Sequence, residues 1–258
     1  ISSKEAMILE KQPKSMVIIG AGAIGVEFGY IYNAFGTEVT IIEMMPNLLP
    51  VEDDDISDAI TKSYRKAGIN CLTDTKVTGT RDNGSSVTIT VESSSGTKEI
   101  TADCCLVAIG VAPVLPGGQQ PKLTDRGWVE ISDCYETSLP NVYAIGDIAG
   151  PPWLAHTASF EAMQCVEGIF VEGTAVKRVG DFPGCTYCYP EVASVGKTER
   201  ALKEEGIEYK VGKFPYQALG KAQASGETEG FVKILFGKKY GEVLGAHIIG
   251  ENATDLIS

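Results

Sequence analysis

The sequence is poor in histidine, in positive charge and in long apolar runs, and each shortage closes a class of function. It has no stretch of about 20 apolar residues, the length a bilayer-spanning helix needs. Lysine and arginine total 22 against 34 aspartates and glutamates, so the formal charge is −12 and a polyanion such as DNA is repelled. The opening Ile1-Ser2-Ser3-Lys4-Glu5 lacks the basic-then-apolar order of a secretion signal. The expectation is a soluble, cytoplasmic protein with neither membrane nor nucleic-acid partner. Only His156 and His247 could serve a zinc ion, and neither has ligand-like spacing to a cysteine pair, so no metal site is expected.

Seven cysteines, an odd number in a chain with enough core to need no crosslink, fit a reducing compartment. The one suggestive spacing is Cys185-Thr-Tyr-Cys188. Tyr187–Tyr189 and Val192–Val195 read as strand, and residues three apart on a strand point to opposite faces. A redox pair of this spacing sits instead at a helix N-terminus that lowers the thiol pKa. Cys185, Cys188 and the adjacent Cys104-Cys105 therefore read as structural thiols.

The 258 residues, 43% hydrophobic and 22% charged, make one large folded domain or two ordinary ones. Met16–Ile19 is a short apolar run of the kind buried on both faces of a parallel sheet. Gly20-Ala-Gly22-Ala-Ile-Gly25 follows at once. Ile24, Phe28, Ile31, Tyr32 and Phe35 then recur at helical spacing up to Gly36, and Glu38–Ile42 forms a second strand closing on Glu43. A second helix is expected over Asp53–Ala67, its acidic start Glu52-Asp53-Asp54-Asp55 complementing the helix dipole rather than binding metal. Short strands near Asn70–Leu72, Val77–Arg81, Ser86–Val91 and Lys98–Thr101 read as a β-meander, and Asp103–Ile109 returns to a buried strand. Beyond a Pro- and Gly-rich connection, Trp128–Glu130 and Asn141–Ile145 read as strands and Ala155–Val171 as a long helix. A boundary is expected between residues 176 and 184. The rest reads as an antiparallel α+β arrangement, with strands near 187–189, 192–195, 209–215, 231–236 and 243–250 and a helix at Thr198–Glu205.

A lone GxGxxG is weak, but here it follows a buried strand, opens a helix inside a βαβ unit, and has Glu43 at the end of the second strand. Gly20 permits the tight turn, Gly22 lets the backbone approach a pyrophosphate, and Gly25 lets helix and strand pack closely. The helix N-terminus offers unpaired N–H groups to phosphates. Glu43 is suited to accept ribose hydroxyls and to repel a 2′-phosphate, and Met44-Met45-Pro46-Asn47 supplies no cation to hold one, which favours NAD over NADP. The motif alone leaves NAD and the ADP half of a flavin cofactor both open.

Four ordered segments carry a resemblance. Val17-Ile-Ile-Gly-Ala-Gly-Ala-Ile-Gly-Val-Glu27-Phe, Thr137-Ser-Leu-Pro-Asn-Val-Tyr-Ala-Ile-Gly-Asp147, Leu154-Ala-His156-Thr-Ala and Tyr189-Pro-Glu-Val-Ala-Ser-Val-Gly-Lys-Thr-Glu199 resemble the pyridine nucleotide-disulfide oxidoreductases, nearest to the dihydrolipoyl dehydrogenase subfamily. The resemblance implies an α/β fold: a Rossmann-like NAD-binding domain with inserted β-meander over 1–111, a partial FAD-binding segment over 112–177, and an α+β dimerisation domain over 178–258. It implies NAD and FAD as cofactors, a homodimer, and association of the parent protein with 2-oxoacid dehydrogenase complexes. The chemistry implied is reoxidation of dihydrolipoamide, with a hydride passing from flavin to NAD. By matching motifs, Gly20, Gly22, Ile24 and Gly25 bind NAD phosphates, Glu43 the adenosine ribose, and Glu27 lies near the nicotinamide. Val77 and Gly110 match positions near the adenine and pyrophosphate, Asp147 the flavin ribitol, and Leu154, Ala155 and His156 the segment beneath the isoalloxazine.

The family's Cys-x4-Cys redox pair, its first FAD-binding glycine motif and its C-terminal His/Glu acid-base pair have no match, so no catalytic residue is assigned and a fragment, catalytically incomplete alone, is expected. Gly110-Val-Ala-Pro113 stands where the family often has Gly-Arg-Arg-Pro, which removes any arginine anchor there. His247, on an expected strand, reads as structural. Exposed apolar surface or an unpaired strand edge is expected around Val142–Ile145. The alternatives are a related family member, such as a soluble transhydrogenase or mercuric reductase, and a non-catalytic NAD-binding or assembly module.

Overall fold

A computed structural model describes residues 1–171, 173 and 180–257. After a single helical turn, α1 (Ser3–Ala6), the apolar run Ser15–Ile19 forms β1 and pairs in parallel with β2 (Glu38–Ile42) and β7 (Cys104–Val107). The crossover from β1 to β2 is α2 (Ala23–Ala34), and α3 (Asp54–Lys66) leads from β2 to β3 (Asn70–Leu72). The sheet order is β3-β2-β1-β7. Asn70–Leu72 thus belongs to the parallel sheet, a correction to its place in the expected meander; Thr40, Ile41 and Ile42 pair with it residue for residue. The meander proper is β4 (Lys76–Asp82), β5 (Val87–Ser93) and β6 (Gly96–Ala102).

The two-residue period of a strand decides what each face of β1 meets. Met16 and Ile18 join Val39, Ile41, Ile56, Ile60 and Tyr64 in the helix-side core. Val17 turns the other way and packs with Ile42, Ile89, Val91 and Ala102 against the meander. Gly29 lets α2 lie close on the sheet, since a Cβ there would stand 2.8 Å from Ile41 Cδ1.

The C-terminal part builds a five-stranded sheet ordered β10-β11-β12-β9-β8 from β8 (Gly184–Thr186), β9 (Val192–Gly196), β10 (Tyr209–Pro215), β11 (Phe231–Gly237) and β12 (Val243–Ile249). The helix α4 (Ala155–Phe170) precedes it, and α5 (Glu199–Glu204), α6 (Gly220–Ser225) and α7 (Ala253–Leu256) decorate it. Cys188, Val192, Phe231 and Ile249 enter the same core as Leu48, Leu49, Ile56 and Ile60. Residues 1–110 and 185–258 accordingly form one compact unit, and 111–184 a second.

Two more expectations are corrected. Tyr187–Tyr189 is not a strand; the strand is Gly184–Thr186, and Tyr187 N–H donates to a carboxylate of α2 instead of to a sheet ladder. Trp128–Glu130 and Asn141–Ile145 make only isolated bridges, Leu123 with Val129 and Glu136 with Tyr143. Asn141 takes a left-handed backbone (φ 61°), which interrupts an extended run. The domain boundary expected at 177/178 lies outside the described residues. Val142 is 43% exposed while Ala144 is buried, and on α4 the side chains of Met163, Val166 and Phe170 are exposed.

Candidate functional site

The glycine turn is built by exclusion. Gly20 takes φ +99°, and a Cβ on it would lie 2.4 Å from the Ala108 carbonyl oxygen, so the end of β7 leaves no room for a side chain. A Cβ on Gly25 would stand 1.9 Å from the Gly20 carbonyl oxygen. Gly22 is the opposite case: among the described residues no heavy atom lies within 4 Å of where its Cβ would be. Two glycines are thus required by the protein itself, and the third leaves a cradle open to a ligand.

Gly22 is the N-cap of α2, and no described side chain caps the helix there. The first-turn N–H groups, those of Ala23, Ile24 and Gly25, face outward with the positive end of the helix dipole behind them. Uncapped amides beside an empty cradle are the donor set a diphosphate needs. Glu43 stands next to them, half-buried: its Oε2 accepts from Ala21 N–H at 2.8 Å and its Oε1 from Met45 N–H at 2.9 Å. Leu49 N–H donates to the Ala21 carbonyl at 2.8 Å, so the Ala21 peptide is held from both sides by the segment after β2. Glu27, one turn into α2, is half-buried and accepts from Tyr187 N–H at 2.8 Å. Val77 packs beside the meander core, and Gly110 takes φ +135° just beyond the Ala108 contact.

In the second unit, Asp147 lies exposed in a 3₁₀ turn, Gly146–Ala149. Gly146 N–H donates to Glu161 Oε2 at 2.7 Å, and a Cβ on Gly146 would lie 2.9 Å from Ala158 Cβ, so that turn is pressed against α4. Leu154 is the N-cap residue of α4 and offers no side-chain cap; Ala155 and His156 are exposed in its first turn. His156 Nε2 lies 2.8 Å from the Pro183 carbonyl oxygen. Thr157 Oγ1 is buried without a partner among the described residues. An open carboxylate, uncapped amides and an orphan hydroxyl are compatible with the ribitol and ring edge of a flavin.

All seven cysteines are free. Burial pushes the Cys188 thiol up to about 12 and the Cys71 thiol up to about 11, and it raises Cys185, Cys104 and Cys105 as well. Such thiols stay protonated and unreactive. His247 is fully buried; its Nε2 lies 3.1 Å from the Lys197 carbonyl oxygen, and burial holds its pKa below the usual value. It therefore stays neutral.

One cluster escaped the sequence reading. Lys233, 1% exposed, places Nζ 2.6 Å from Asp53 Oδ1, 3.0 Å from Asp55 Oδ2 and 2.5 Å from Glu199 Oε1. Burial alone would lower the lysine pKa, but its hydrogen bonds to the three carboxylates outweigh it and the net shift is upward. Burial likewise opposes ionisation of Asp53, and the Glu199 N–H and Lys233 overcome it and lower the pKa. The three carboxylate oxygens lie within 4.8 Å of one another, spacing that suits a metal, and the lysine ammonium fills that role. A signal was present: in Phe231-Val-Lys-Ile-Leu, alternation puts Lys233 on the buried face with Phe231 and Leu235. A lysine there requires anions.

Residues 1–162 match the family described as pyridine nucleotide-disulphide oxidoreductase, and residues 182–258 match its dimerisation domain. The dihydrolipoyl dehydrogenase of Rhizobium etli is 44% identical over 258 residues, covering 98% of this chain and 54% of that protein. The Mycobacterium leprae protein of the same name is 41% identical, covering 100% and 56%. The chain thus spans little more than half the length of these curated relatives. Among solved structures, a copper(II) complex of a cysteine-to-serine mutant of the HOCl-induced flavoprotein disulfide reductase RclA from Escherichia coli superposes with a TM-score of 0.90 at 25% identity, over 99% of this chain and 58% of that one.

Proposed function

The chain belongs to the pyridine nucleotide-disulphide oxidoreductases, and from that premise we propose that it is the NAD-binding and dimerisation portion of an FAD-dependent dihydrolipoyl dehydrogenase. The parent activity on this reading is reoxidation of dihydrolipoamide with hydride transfer from flavin to NAD. The observation that carries the reading is the uncapped helix over Gly22 with the Glu43 carboxylate beside it. We assign Gly20, Gly22, Ile24 and Gly25 to the diphosphate, Glu43 to the ribose, Glu27 to the nicotinamide side, and Val77 and Gly110 to the adenine and pyrophosphate sides. Residues 1–111, 112–177 and 178–258 are read as NAD-binding, partial FAD-binding and dimerisation segments.

FAD, when bound, supplies a two-electron carrier between a dithiol and NAD. Toward it the chain offers Asp147 for the ribitol and the first turn of α4, Leu154 to His156, for the ring edge. Toward NAD, the amides at the start of α2 neutralise the phosphates, while Glu43 orients the sugar and excludes a 2′-phosphate by repulsion. Homodimer formation through the C-terminal part follows from the matched dimerisation domain, and association of the parent with a 2-oxoacid dehydrogenase complex is part of the same proposal.

Titration of the 258-residue chain with NAD and with NADP tests the reading. Measurable NAD binding with NADP at least about tenfold weaker, the equivalent of about 1.4 kcal/mol, supports the role of Glu43. A preference for NADP removes it. Within these residues no Cys-x4-Cys pair occurs, so dihydrolipoamide turnover is expected from the longer protein and not from this chain with added FAD.

A further inference from the structure

The acidic run before α3 does more than complement a helix dipole. Asp53 is the N-cap of α3, accepting from Asp55 N–H, and its second oxygen accepts from Glu199 N–H at 3.0 Å, at the start of α5. One carboxylate therefore serves two helix N-termini and the Lys233 ammonium together. Arg200 adds bonds to Asp54 Oδ1 at 2.5 Å and to the Pro50 carbonyl at 2.9 Å, and Lys213 reaches Asp55 Oδ2 at 3.0 Å. Four residues of the dimerisation region thus hold one short segment of the nucleotide region.

That segment leads back to the glycine turn. From Asp53 it runs through Glu52, whose N–H donates to the Leu49 carbonyl at 3.0 Å, to Leu49 itself, whose N–H holds the Ala21 carbonyl. Ser57 Oγ, on α3, donates to the same Leu49 carbonyl at 2.8 Å. Leu49 is fully buried with φ 49°, a left-handed backbone that a leucine keeps only when its surroundings enforce it. At the other end of the segment, Glu43 grips Ala21 N–H.

We propose that Lys233 is a positioning residue for the dinucleotide turn: through Asp53 it braces residues 43–53, the segment that clamps the Ala21 peptide. The proposal rests on the nucleotide reading above. The physical reason is desolvation. Without the ammonium, a 1%-exposed Asp53 carries an uncompensated charge, and it must take a proton or move toward water. Movement at Asp53 is four residues from Leu49, and the strained Leu49 backbone relaxes first. The dimerisation region thereby sets how well the turn is organised for a diphosphate.

The test uses the whole 258-residue chain with NAD, read by calorimetry. Lys233→Met is expected to weaken NAD about tenfold, a coupling of ordinary size between a packed network and a distant site. Millimolar calcium, a hard cation suited to the three freed carboxylates, is expected to restore that affinity and to leave the wild type unchanged. Ala222→Gly, on the buried face of α6 and in a separate core cluster of the same region, is the control: it lowers stability and leaves NAD affinity within about twofold, since distant sites without shared partners do not couple. A folded Lys233→Met chain with wild-type affinity overturns the proposal, as does equal weakening by Ala222→Gly. Should Lys233→Met not fold, Glu199→Gln carries the test with an expected two- to threefold weakening, about half a kcal/mol, and unchanged affinity overturns it. If the wild type binds no NAD, the nucleotide reading is what fails. Amide exchange then decides the brace on its own: faster exchange at Ala21 and Leu49 in the variant supports it, and unchanged exchange overturns it.

Discussion

The two compact units of this chain are stabilised in different ways. The larger one, residues 1–110 with 185–258, joins two sheets through a continuous core and a buried ion cluster, although its two stretches are far apart in sequence. The smaller, residues 111–184, has one long helix, a 3₁₀ turn and isolated bridges, and it leaves Met163, Val166 and Phe170 of that helix exposed. The first buries its central side chains in one shared core, although Phe35, Val211 and Phe214 remain exposed at its surface. The second shows apolar surface to solvent, as a segment does when its order draws on contacts beyond itself. Both tryptophans, Trp128 and Trp153, lie in the smaller unit with ring centroids 5.3 Å apart. Tryptophan emission therefore reports one unit, whereas far-ultraviolet dichroism is dominated by the other.

That division gives a way to break the comparison. Lys233→Met is expected to have the largest effect, about 3–5 kcal/mol for a buried ion cluster left without its cation. The loss should shift the dichroism transition in urea and leave the tryptophan transition in place. If the two transitions move together, the units are not independent. Gly25→Ala comes next: its methyl would overlap the Gly20 carbonyl oxygen, and about 1–3 kcal/mol of strain is expected together with loss of NAD binding. Its counterpart Gly22→Ala meets open space and should alter stability by less than about 1 kcal/mol while weakening NAD, so comparing the two melts and titrations separates a glycine the fold needs from one the ligand needs.

Acid sharpens the contrast further. The pKa values of Asp53, Asp55 and Glu199 are lowered in the fold by the lysine cluster that overcomes their burial. Their contribution is present above the unfolded values of about 4 and is lost as pH falls through the lower folded values. The larger unit should therefore lose stability below about pH 4, and a dichroism-monitored urea series from pH 6 to pH 2.5 checks it. Smallest of all, Met163→Gln on the exposed face of α4 should change either transition by no more than about 0.5 kcal/mol.

What the sequence disclosed divides along the same line. The βαβ unit was legible because its signals are local: an apolar run, a glycine turn, a helical period and an acidic residue within some thirty positions. Strand Glu38–Ile42 and helix Asp54–Lys66 stand where those signals put them. Asn70–Leu72 pairs in the parallel sheet and not in the meander its composition suggests, because three residues carry no record of their neighbour. The segments at 128–130 and 141–145 have strand-like composition, but the described residues offer them only isolated bridges. The Lys233 cluster was hidden for another reason: its members are separated by up to 180 residues, and each alone reads as an ordinary surface charge. Lys233 had one local clue, its inward place in an apolar strand.

The same separation bears on the order of synthesis. A ribosome releases Asp53 and Asp55 long before β11 exists, so the nascent N-terminal portion must wait with two acidic groups unmatched and a core face bare. Its final packing is deferred until translation has passed Ile249. Trimming the gene at Gly110 to obtain a minimal nucleotide binder would make that provisional state permanent.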